Sequence, residues 1–219
     1  MTIEIIVLAM ASTIRPTSLA ATYALLEHKS RRVLMLAYVV GGLAFTIAFG
    51  LVVVYAFHGI HFQAGTGRTK AIAEIISGAV ALAFGLALLT GHVHRRDVRE
   101  APEAGGRLKE MLDQNVTTRI AVLAGPATHI PGIFYLIALN VIVAHNPRVT
   151  GGMLDVVTYN AIWFALPILA LVLCIMRPAA ARDAVGSVDR WALAHSRSIL
   201  LWVSFAVGAA LVVRGALAL

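Results

Sequence analysis

The chain has 219 residues, of which 59% are hydrophobic and 13% are charged, with a formal net charge of +7. A soluble domain carries about 25% charged residues, so this composition excludes an ordinary soluble protein. The apolar residues fall in long runs without strict alternation, which indicates an all-α, polytopic membrane protein rather than a β-barrel. In that setting the positive charge reflects membrane topology and anionic lipid headgroups, and no nucleic acid partner is expected.

Six runs are long enough to cross the hydrocarbon core, which takes about 20 residues. They are Ile3–Leu26, Val33–Phe57, Ala71–Thr90, Ile120–Ala144, Met153–Met176 and Ser198–Leu217. The longest link, residues 92–118, divides them into three and three. Because each half has an odd number of spans, the halves take opposite orientations, as in the inverted repeats of transporters. We predict one integral membrane domain over residues 1–219, with three-helix repeats at 3–91 and 119–219 and a cytoplasmic link at 92–118.

Basic residues divide unequally between the two sides of this arrangement. Thirteen lie in or beside the links that follow the first, third and fifth runs, and four lie on the other side. Arg15 lies inside a span and completes the 18 basic residues of the chain. Because cytoplasmic links carry the excess of Lys and Arg, the sequence predicts a multi-pass protein of the inner (plasma) membrane with both termini outside.

The first run is interrupted at residues 12–18, where Arg15 and Pro16 lie at mid-membrane depth. An arginine there costs about 3 kcal/mol on insertion scales and must face protein or water. Its planar fork suits a phosphate, sulfate or carboxylate, which makes Arg15, with Thr13 and Pro16, a candidate substrate site. The alternative is that Arg15 stabilises packing by donating to carbonyl groups of the broken fourth helix.

The fourth run is also interrupted, at Gly125-Pro-Ala-Thr-His-Ile-Pro-Gly132. Proline removes a backbone donor and glycine loosens the chain, and such a segment is tolerated at membrane depth only inside protein or beside a wet cavity. Interruptions at corresponding positions of two halves indicate a substrate site. The substrate-binding residues predicted in this half are Thr128, His129, Pro131, Gly132 and Asn140. The predicted hinge residues are Gly125, Pro126 and Pro131.

Several of these polar residues also have a structural interpretation. His129 titrates near neutral pH and could assist proton coupling, or it is a neutral side chain bonded to a carbonyl freed by proline. Polar side chains in spans often bond neighbouring helices, which is the simpler role for Asn140 and, in the fifth run, for Tyr159 and Asn160. Pro167 is predicted only to kink the fifth helix.

No catalytic or metal-binding pattern accompanies these residues. The sequence has no nucleophile elbow, Walker loop, dinucleotide-binding glycine motif or HExxH, so we predict neither an enzyme nor a cofactor. Cys174 is the only cysteine, which excludes an internal disulfide. The pairs His58/His61 and His92/His94 have no Cys, Asp or Glu cluster to complete them, so no metal site is expected.

The segment from Gly125 to Gly132, followed by Phe134-Tyr135-Leu136 and Ala138-Leu139-Asn140, resembles the actinobacterial family of glycopeptidolipid- and sulfolipid-addressing membrane proteins (Gap and Sap types). Arg15-Pro16 resembles the same family, and the likeness covers the whole chain in span number and spacing. That family is similar to the LysE-type superfamily of six-span exporters. The positions to which the resemblance carries over are Arg15, Pro16, Pro126, His129, Pro131 and Gly132.

The resemblance implies participation in export of cell-envelope glycolipids. The chain lacks the paired cysteines and the intramembrane acidic cluster of other branches of the superfamily, which disfavours redox and metal-ion roles. We expect a membrane transporter that takes part in exporting an anionic glycolipid or lipid-linked intermediate. Two alternatives remain, an exporter of a small solute such as an amino acid and a non-transporting partner within a larger lipid-export complex. Small residues in the second, third and sixth runs permit close helix contacts within the chain or in a homodimer.

Overall fold

The computed structural model describes residues 2–59, 67–91, 117–146 and 148–219, and every regular element in these ranges is a helix. The helices are α1 (Ile3–Thr13), α2 (Pro16–Glu27), α3 (Arg31–Gly59), α4 (Gly67–Thr90), α5 (Thr118–Thr128), α6 (Ile133–His145), α7 (Val149–Trp163), α8 (Ala165–Met176) and α9 (Pro178–Leu217). The all-α prediction is confirmed for these residues. Most of the predicted cytoplasmic link, residues 92–116, lies outside them.

Three stretches are long and apolar enough to cross a membrane as single helices, namely Arg31–Phe57 of α3, Ala71–Thr90 of α4 and Arg197–Leu217 of α9. Three pairs of shorter helices pass the same test together. They bend by 51° between α1 and α2, by 70° between α5 and α6, and by 57° between α7 and α8. By length and composition the described residues therefore provide three spans, or up to six if each bent pair is one span.

The three bends do not all follow the prolines in the way the sequence suggests. Pro126 lies inside α5, which continues to Thr128 because the N–H of His129 still reaches the carbonyl oxygens of Gly125 and Pro126, both at 3.1 Å. Pro167, expected only to kink a helix, follows a break at Phe164. Since proline has no N–H for the carbonyl four residues earlier, the helical ladder stops there and α8 begins anew.

The buried apolar side chains form two clusters, and each bent pair contributes one helix to each cluster. Residues of α1, α6 and α7 belong to the first cluster, while residues of α2, α5 and α8 belong to the second, together with α3 and the start of α9. The breaks therefore lie where one core gives way to the other. This division places the interrupted backbone of three elements at a common level inside the bundle.

The close contact of α4 with α9 depends on glycines, and Gly78 and Gly208 face each other within it. A Cβ atom on Gly78 would lie 2.7 Å from the carbonyl oxygen of Gly208 and 2.9 Å from the backbone N of Val212. A Cβ on Gly208 would in turn lie 3.0 Å from the carbonyl oxygen of Gly78. These are backbone atoms, so the two helices cannot accept a side chain here without moving apart.

We predict that Gly78→Ala lowers the stability of the folded protein. Alanine favours a helix over glycine by about 1 kcal/mol, but overpacking against a backbone costs about 1–3 kcal/mol, so the clash dominates. The melting temperature in detergent measures the effect. Ala79→Val, at the exposed neighbouring position, is the matched control and should leave Tm unchanged. An unchanged Tm for Gly78→Ala would contradict the close contact.

Candidate functional site

One guanidinium joins two of the helix breaks. Arg15 is the N-cap of α2, and its Nη1 donates to the carbonyl oxygens of Ile130 at 3.0 Å and Thr128 at 3.4 Å. Both carbonyls belong to the interruption between α5 and α6. The predicted interruptions of the first and fourth spans therefore meet in the folded protein.

The two carbonyls accept from Arg15 because the helix that would satisfy them stops. In an unbroken helix they would accept from the N–H groups of residues 132 and 134. Pro131 disfavours helical backbone at the residue before it, and Gly132 is instead the extended N-cap of α6, with φ −93° and ψ 178°. An unsatisfied backbone group at membrane depth costs several kcal/mol, so these hydrogen bonds stabilise the break. The structure thus contains the contact that the packing interpretation of Arg15 requires.

The third break joins the same region through α7. The hydroxyl of Thr13, the last residue of α1, donates to the carbonyl oxygen of Ile162 at 3.0 Å and also lies 3.0 Å from that of Ala9. The guanidinium carbon of Arg15 lies 5.5 Å from the ring centroid of Trp163, within the range of a cation–π contact. We call the region formed by residues 13–15, 128–132 and 162–164 the break junction.

His129 is sealed inside the break junction. Its ring stacks on Phe164 with centroids 4.0 Å apart and an interplanar angle of 20°, and the residue is 1% exposed. Nδ1 lies 3.0 Å from the carbonyl oxygen of Gly125, which only accepts, so Nδ1 carries the proton. Nε2 accepts from the hydroxyl of Ser18 at 3.2 Å. Both nitrogens of a neutral ring are therefore satisfied, which fits the structural interpretation better than proton coupling.

Thr128 belongs to the same buried network. Its hydroxyl donates to the carbonyl oxygen of Ala124 at 2.9 Å and accepts from the hydroxyl of Tyr38 on α3 at 2.8 Å. The residue is 6% exposed. Its side chain therefore holds α5 against α3, while its carbonyl oxygen holds Arg15.

The predicted hinge residues lie on either side of the break. Gly125 packs against α3 so closely that a Cβ atom would clash with the carbonyl oxygen of Tyr38 and with Gly42. This contact explains a glycine there without any movement. Pro126 lies within α5, and only Pro131 lies in the break itself. Their action as hinges stays a prediction, as does substrate contact by Pro16, which is the first residue of α2.

Asn140 makes its contacts elsewhere. Its amide donates to the hydroxyl of Ser77 and, at 3.4 Å, to the carbonyl oxygen of Ala73, both on α4. These contacts join α6 to α4 and do not bring Asn140 to Arg15. The interhelical interpretation describes its position, and the substrate-binding role assigned to it stays a prediction.

Part of the guanidinium has no protein partner. Among the described residues, Nη2 and Nε of the half-buried Arg15 make no hydrogen bond. Gly132 lies beside Nη2, because a Cβ atom there would be 3.3 Å from this nitrogen, and the glycine keeps a methyl group away from it. Two buried atoms of α7, Nε1 of Trp163 and Oδ1 of Asn160, also have no hydrogen-bond partner within the described chain. Buried polar atoms are rarely left so, and together they offer donors and an acceptor to a polar molecule.

The structure gives α7 a larger part in this region than the sequence predicted. The interhelical role predicted for Tyr159 and Asn160 is present, since Tyr159 contacts the hydroxyl of Ser12 at 2.7 Å and Asn160 donates to the hydroxyl of Tyr135 at 3.1 Å. The sequence did not predict the part of Trp163, which packs against Tyr135 with centroids 5.1 Å apart. Its helical spacing with Tyr159 and Asn160, just before Pro167, is the signal that could have found it.

The described residues contain no group of three or more His, Cys, Asp and Glu side chains that could hold a metal ion. Cys174 is buried in the second core. The chemistry that the break junction can offer is recognition of a polar or anionic group by the guanidinium of Arg15 and the indole N–H of Trp163.

Comparison with known proteins gives one finding. A family model described as Sap, sulfolipid-1-addressing protein, matches residues 5–216 of the chain. No curated protein and no solved structure matches.

We predict that Tyr38→Phe destabilises the break junction, because the buried hydroxyl of Thr128 loses its donor. Losing a buried hydrogen bond costs about 1–3 kcal/mol, which should lower Tm in detergent. Tyr23→Phe is the matched control, since Tyr23 packs at the edge of the second core and its hydroxyl bonds no described residue. Equal Tm changes in the two variants would show that the network around His129 adds nothing to stability.

Proposed function

The chain belongs to the Sap, sulfolipid-1-addressing protein family, and from this premise we propose that it takes part in exporting an anionic glycolipid of the cell envelope. The family name specifies a sulfated lipid, and a sulfate is an anion whose oxygens match the fork of a guanidinium. The observation that carries the proposal is the state of Arg15. One of its terminal nitrogens is bound to the break between α5 and α6, while the other faces Gly132 without a protein partner.

We propose six spans in two inverted halves, with each bent pair forming one span. Packing between the halves is reciprocal, as a two-fold relation requires. The second span of the first half, α3, packs against α5, and the second span of the other half, α7, packs against α1. The third spans, α4 and α9, pack on each other through Gly78 and Gly208. In transporters of this design the substrate site lies where broken helices meet at the midplane.

We propose an inner-membrane location with both termini outside, from the excess of basic residues in the links at the opposite end. Two arginines at that end bind the last carbonyl groups of helices. Arg197 donates to the carbonyl oxygen of Leu88 in the last turn of α4 at 3.2 Å, and Arg32 donates to that of Ile175 in the last turn of α8 at 3.4 Å. Basic side chains there are stabilised by the helix dipoles as well as by the inner membrane surface.

In this function the break junction holds the headgroup while the acyl chains remain among the apolar helix surfaces. Nη2 and Nε of Arg15 donate to the anion, and the indole N–H of Trp163 donates to a sugar or sulfate oxygen. The breaks let each half of a span move with its own core, so α1, α6 and α7 can move relative to α2, α5 and α8. Relative movement of two such groups around a fixed site is the usual form of alternating access.

A second candidate, a non-transporting partner in a lipid-export complex, is favoured by the aromatic packing at the break junction. Neighbouring rings pack in a series from the imidazole of His129 through Phe164 and Trp163 to Tyr135 and Tyr159. Their centroid separations are between 4.0 and 6.0 Å. In this role Arg15 only stabilises the break. Membership of such a complex and formation of a homodimer stay predictions, and a small-solute exporter is an outcome of the same experiment.

Translocation by purified protein in liposomes tests the proposal. The probes are a labelled sulfated glycolipid, its unsulfated counterpart and a labelled amino acid. Gly132→Ala keeps the charge and the carbonyl bonds of Arg15 but crowds Nη2. Since a hydrogen bond to a charged group contributes about 1.5–3 kcal/mol, the rate for the sulfated lipid should fall about tenfold or more. Arg15→Lys keeps a donor for the carbonyl oxygens, and its rate of sulfated lipid translocation should fall by a similar factor.

Gly186→Ala is the control, because its Cβ would meet Tyr23 and Arg190 only at 3.5 and 3.6 Å, an ordinary contact. It should transport at the wild-type rate. Sulfated lipid translocation that is unaffected by Gly132→Ala and Arg15→Lys would overturn the headgroup role. Movement of the amino acid alone would favour the small-solute exporter, and no movement of any probe by a folded protein would favour the partner role.

A further inference from the structure

Four ionisable side chains from four helices meet at the end of the bundle that holds both termini. Nη1 of Arg214 on α9 donates to Oε1 of Glu4 on α1 at 2.5 Å, and Nη2 lies 3.5 Å from Oε1 of Glu74 on α4. Nε2 of His145 on α6 lies 3.5 Å from the same oxygen of Glu74 and in hydrogen-bond contact with Nη2 of Arg214. We call Glu4, Glu74, His145 and Arg214 the terminal cluster.

The terminal cluster joins the two proposed halves. Both carboxylates, Glu4 and Glu74, come from the first half, and both bases, His145 and Arg214, come from the second. A change in the charge of any member therefore changes the attraction between the halves at this end. The break junction has no comparable group, because His129 is neutral and fully bonded there.

The hydrogen bonds of His145 determine which of its ring nitrogens carries the proton in the neutral state. Nδ1 lies 2.9 Å from the carbonyl oxygen of Val141, one turn earlier in α6. A carbonyl only accepts, so Nδ1 carries the proton of the neutral ring. Nε2 then has a lone pair, which accepts from Nη2 of Arg214. The nitrogen that faces Glu74 is therefore the one that can still take up a proton.

The charges of the terminal cluster do not balance. Two carboxylates and one guanidinium leave one negative charge while His145 is neutral. The side chain of Glu74 is only 5% exposed and that of Glu4 12%, and an uncompensated charge at such a site is costly. One proton on Nε2 of His145 would remove the imbalance. Nε2 would then donate to Glu74, and Nη2 of Arg214 would have to leave it, because two donors cannot pair.

The other charged side chains that the structure describes at this end are already engaged or exposed. Asp155 on α7 accepts from the amide of Asn146 at 3.1 Å. The side chains of Arg68, near the start of α4, and Arg148, before α7, are exposed to solvent. Among the described side chains, the acceptor for the proton that balances the terminal cluster is His145 beside Glu74.

We propose that the terminal cluster is a proton-binding site, with Nε2 of His145 beside Glu74 as the acceptor, and that its proton is the ion that drives export. The second clause rests on the proposed function. The side chain of Arg214 is 39% exposed and opens the site to the side that holds the termini. On protonation, His145 exchanges its contact with Arg214, which lies within the second half, for a hydrogen bond to Glu74 in the first half. Proton uptake therefore changes the attraction between the halves at that end.

Asn140 acquires a role in this arrangement. It lies on α6 about one turn further inside than His145, and it donates to Ser77, which is one turn further inside than Glu74 on α4. The pair holds α6 and α4 together directly below the terminal cluster. It keeps His145 in position beside Glu74 and makes Asn140 a positioning residue for the proton site.

Proton uptake by the purified protein tests the site without any substrate. Wild-type protein in weakly buffered detergent is taken from about pH 8 to about pH 5, the range over which histidine titrates, and the protons bound per chain are measured. An ordinary carboxylate stays ionised for most of this range. Glu74→Gln removes the charge imbalance, so we expect it to take up about one proton fewer than wild type. The exposed control Glu27→Gln should match wild type.

Glu4→Gln also removes one negative charge from the terminal cluster, at the other carboxylate that contacts Arg214. This variant should likewise take up about one proton fewer than wild type, so the test remains valid if Glu74→Gln does not fold. Equal uptake by wild type and a folded Glu74→Gln or Glu4→Gln protein would overturn the proton site and leave a purely structural ion-pair cluster.

A second measurement separates the site from the proposed function. In liposomes, a pH gradient should accelerate wild-type translocation of the labelled sulfated glycolipid and should not accelerate that of Glu74→Gln. If the pH gradient does not change the rate of translocation by wild-type protein, the proton does not drive export, while the export proposal stands. Absence of translocation in wild type would overturn both the export proposal and the driving role, whereas the uptake measurement would still decide the proton site.

Discussion

The donation of a guanidinium to carbonyl groups of an interrupted helix is the contact on which the rest of the structure depends. Inside a bilayer a backbone carbonyl without a donor costs several kcal/mol, and the break between α5 and α6 exposes two such groups. Arg15 supplies the donor from a second break, between α1 and α2. Each break is therefore stabilised by the other, and neither arginine nor carbonyl would be tolerated there alone.

The same contact leaves Arg15 able to do something further. A guanidinium has five N–H donors in a fixed fork, and the carbonyls of Thr128 and Ile130 occupy only Nη1. The side of the fork that faces Gly132 keeps its charge and its donors. In the proposed exporter, one part of the side chain builds the site and another part binds the anion, which explains why an arginine and not a neutral donor stands at this position.

Local signals were enough to predict two of the three breaks, because Arg15-Pro16 and the segment from Gly125 to Gly132 violate the rules of an uninterrupted span. The break at Phe164 was not predicted, since a lone Pro167 either bends or ends a helix and tertiary contacts decide which. Among contacts between distant helices, the bond from Arg15 to carbonyl groups of the broken fourth helix was one of the two sequence-based alternatives, whereas the terminal cluster was not predicted. The terminal cluster joins residues up to 210 positions apart in sequence, such as Glu4 and Arg214, and only the fold reveals that they meet.

The structure of the protein with a sulfated glycolipid bound in a lipid nanodisc is the direct test of anion binding by Arg15. We predict a sulfate oxygen about 2.7–2.9 Å from Nη2 or Nε of Arg15, the length of a charge-assisted hydrogen bond, with Nη1 still donating to the carbonyl oxygens of Thr128 and Ile130. A headgroup bound elsewhere, with Arg15 contacting only those carbonyls, would contradict it.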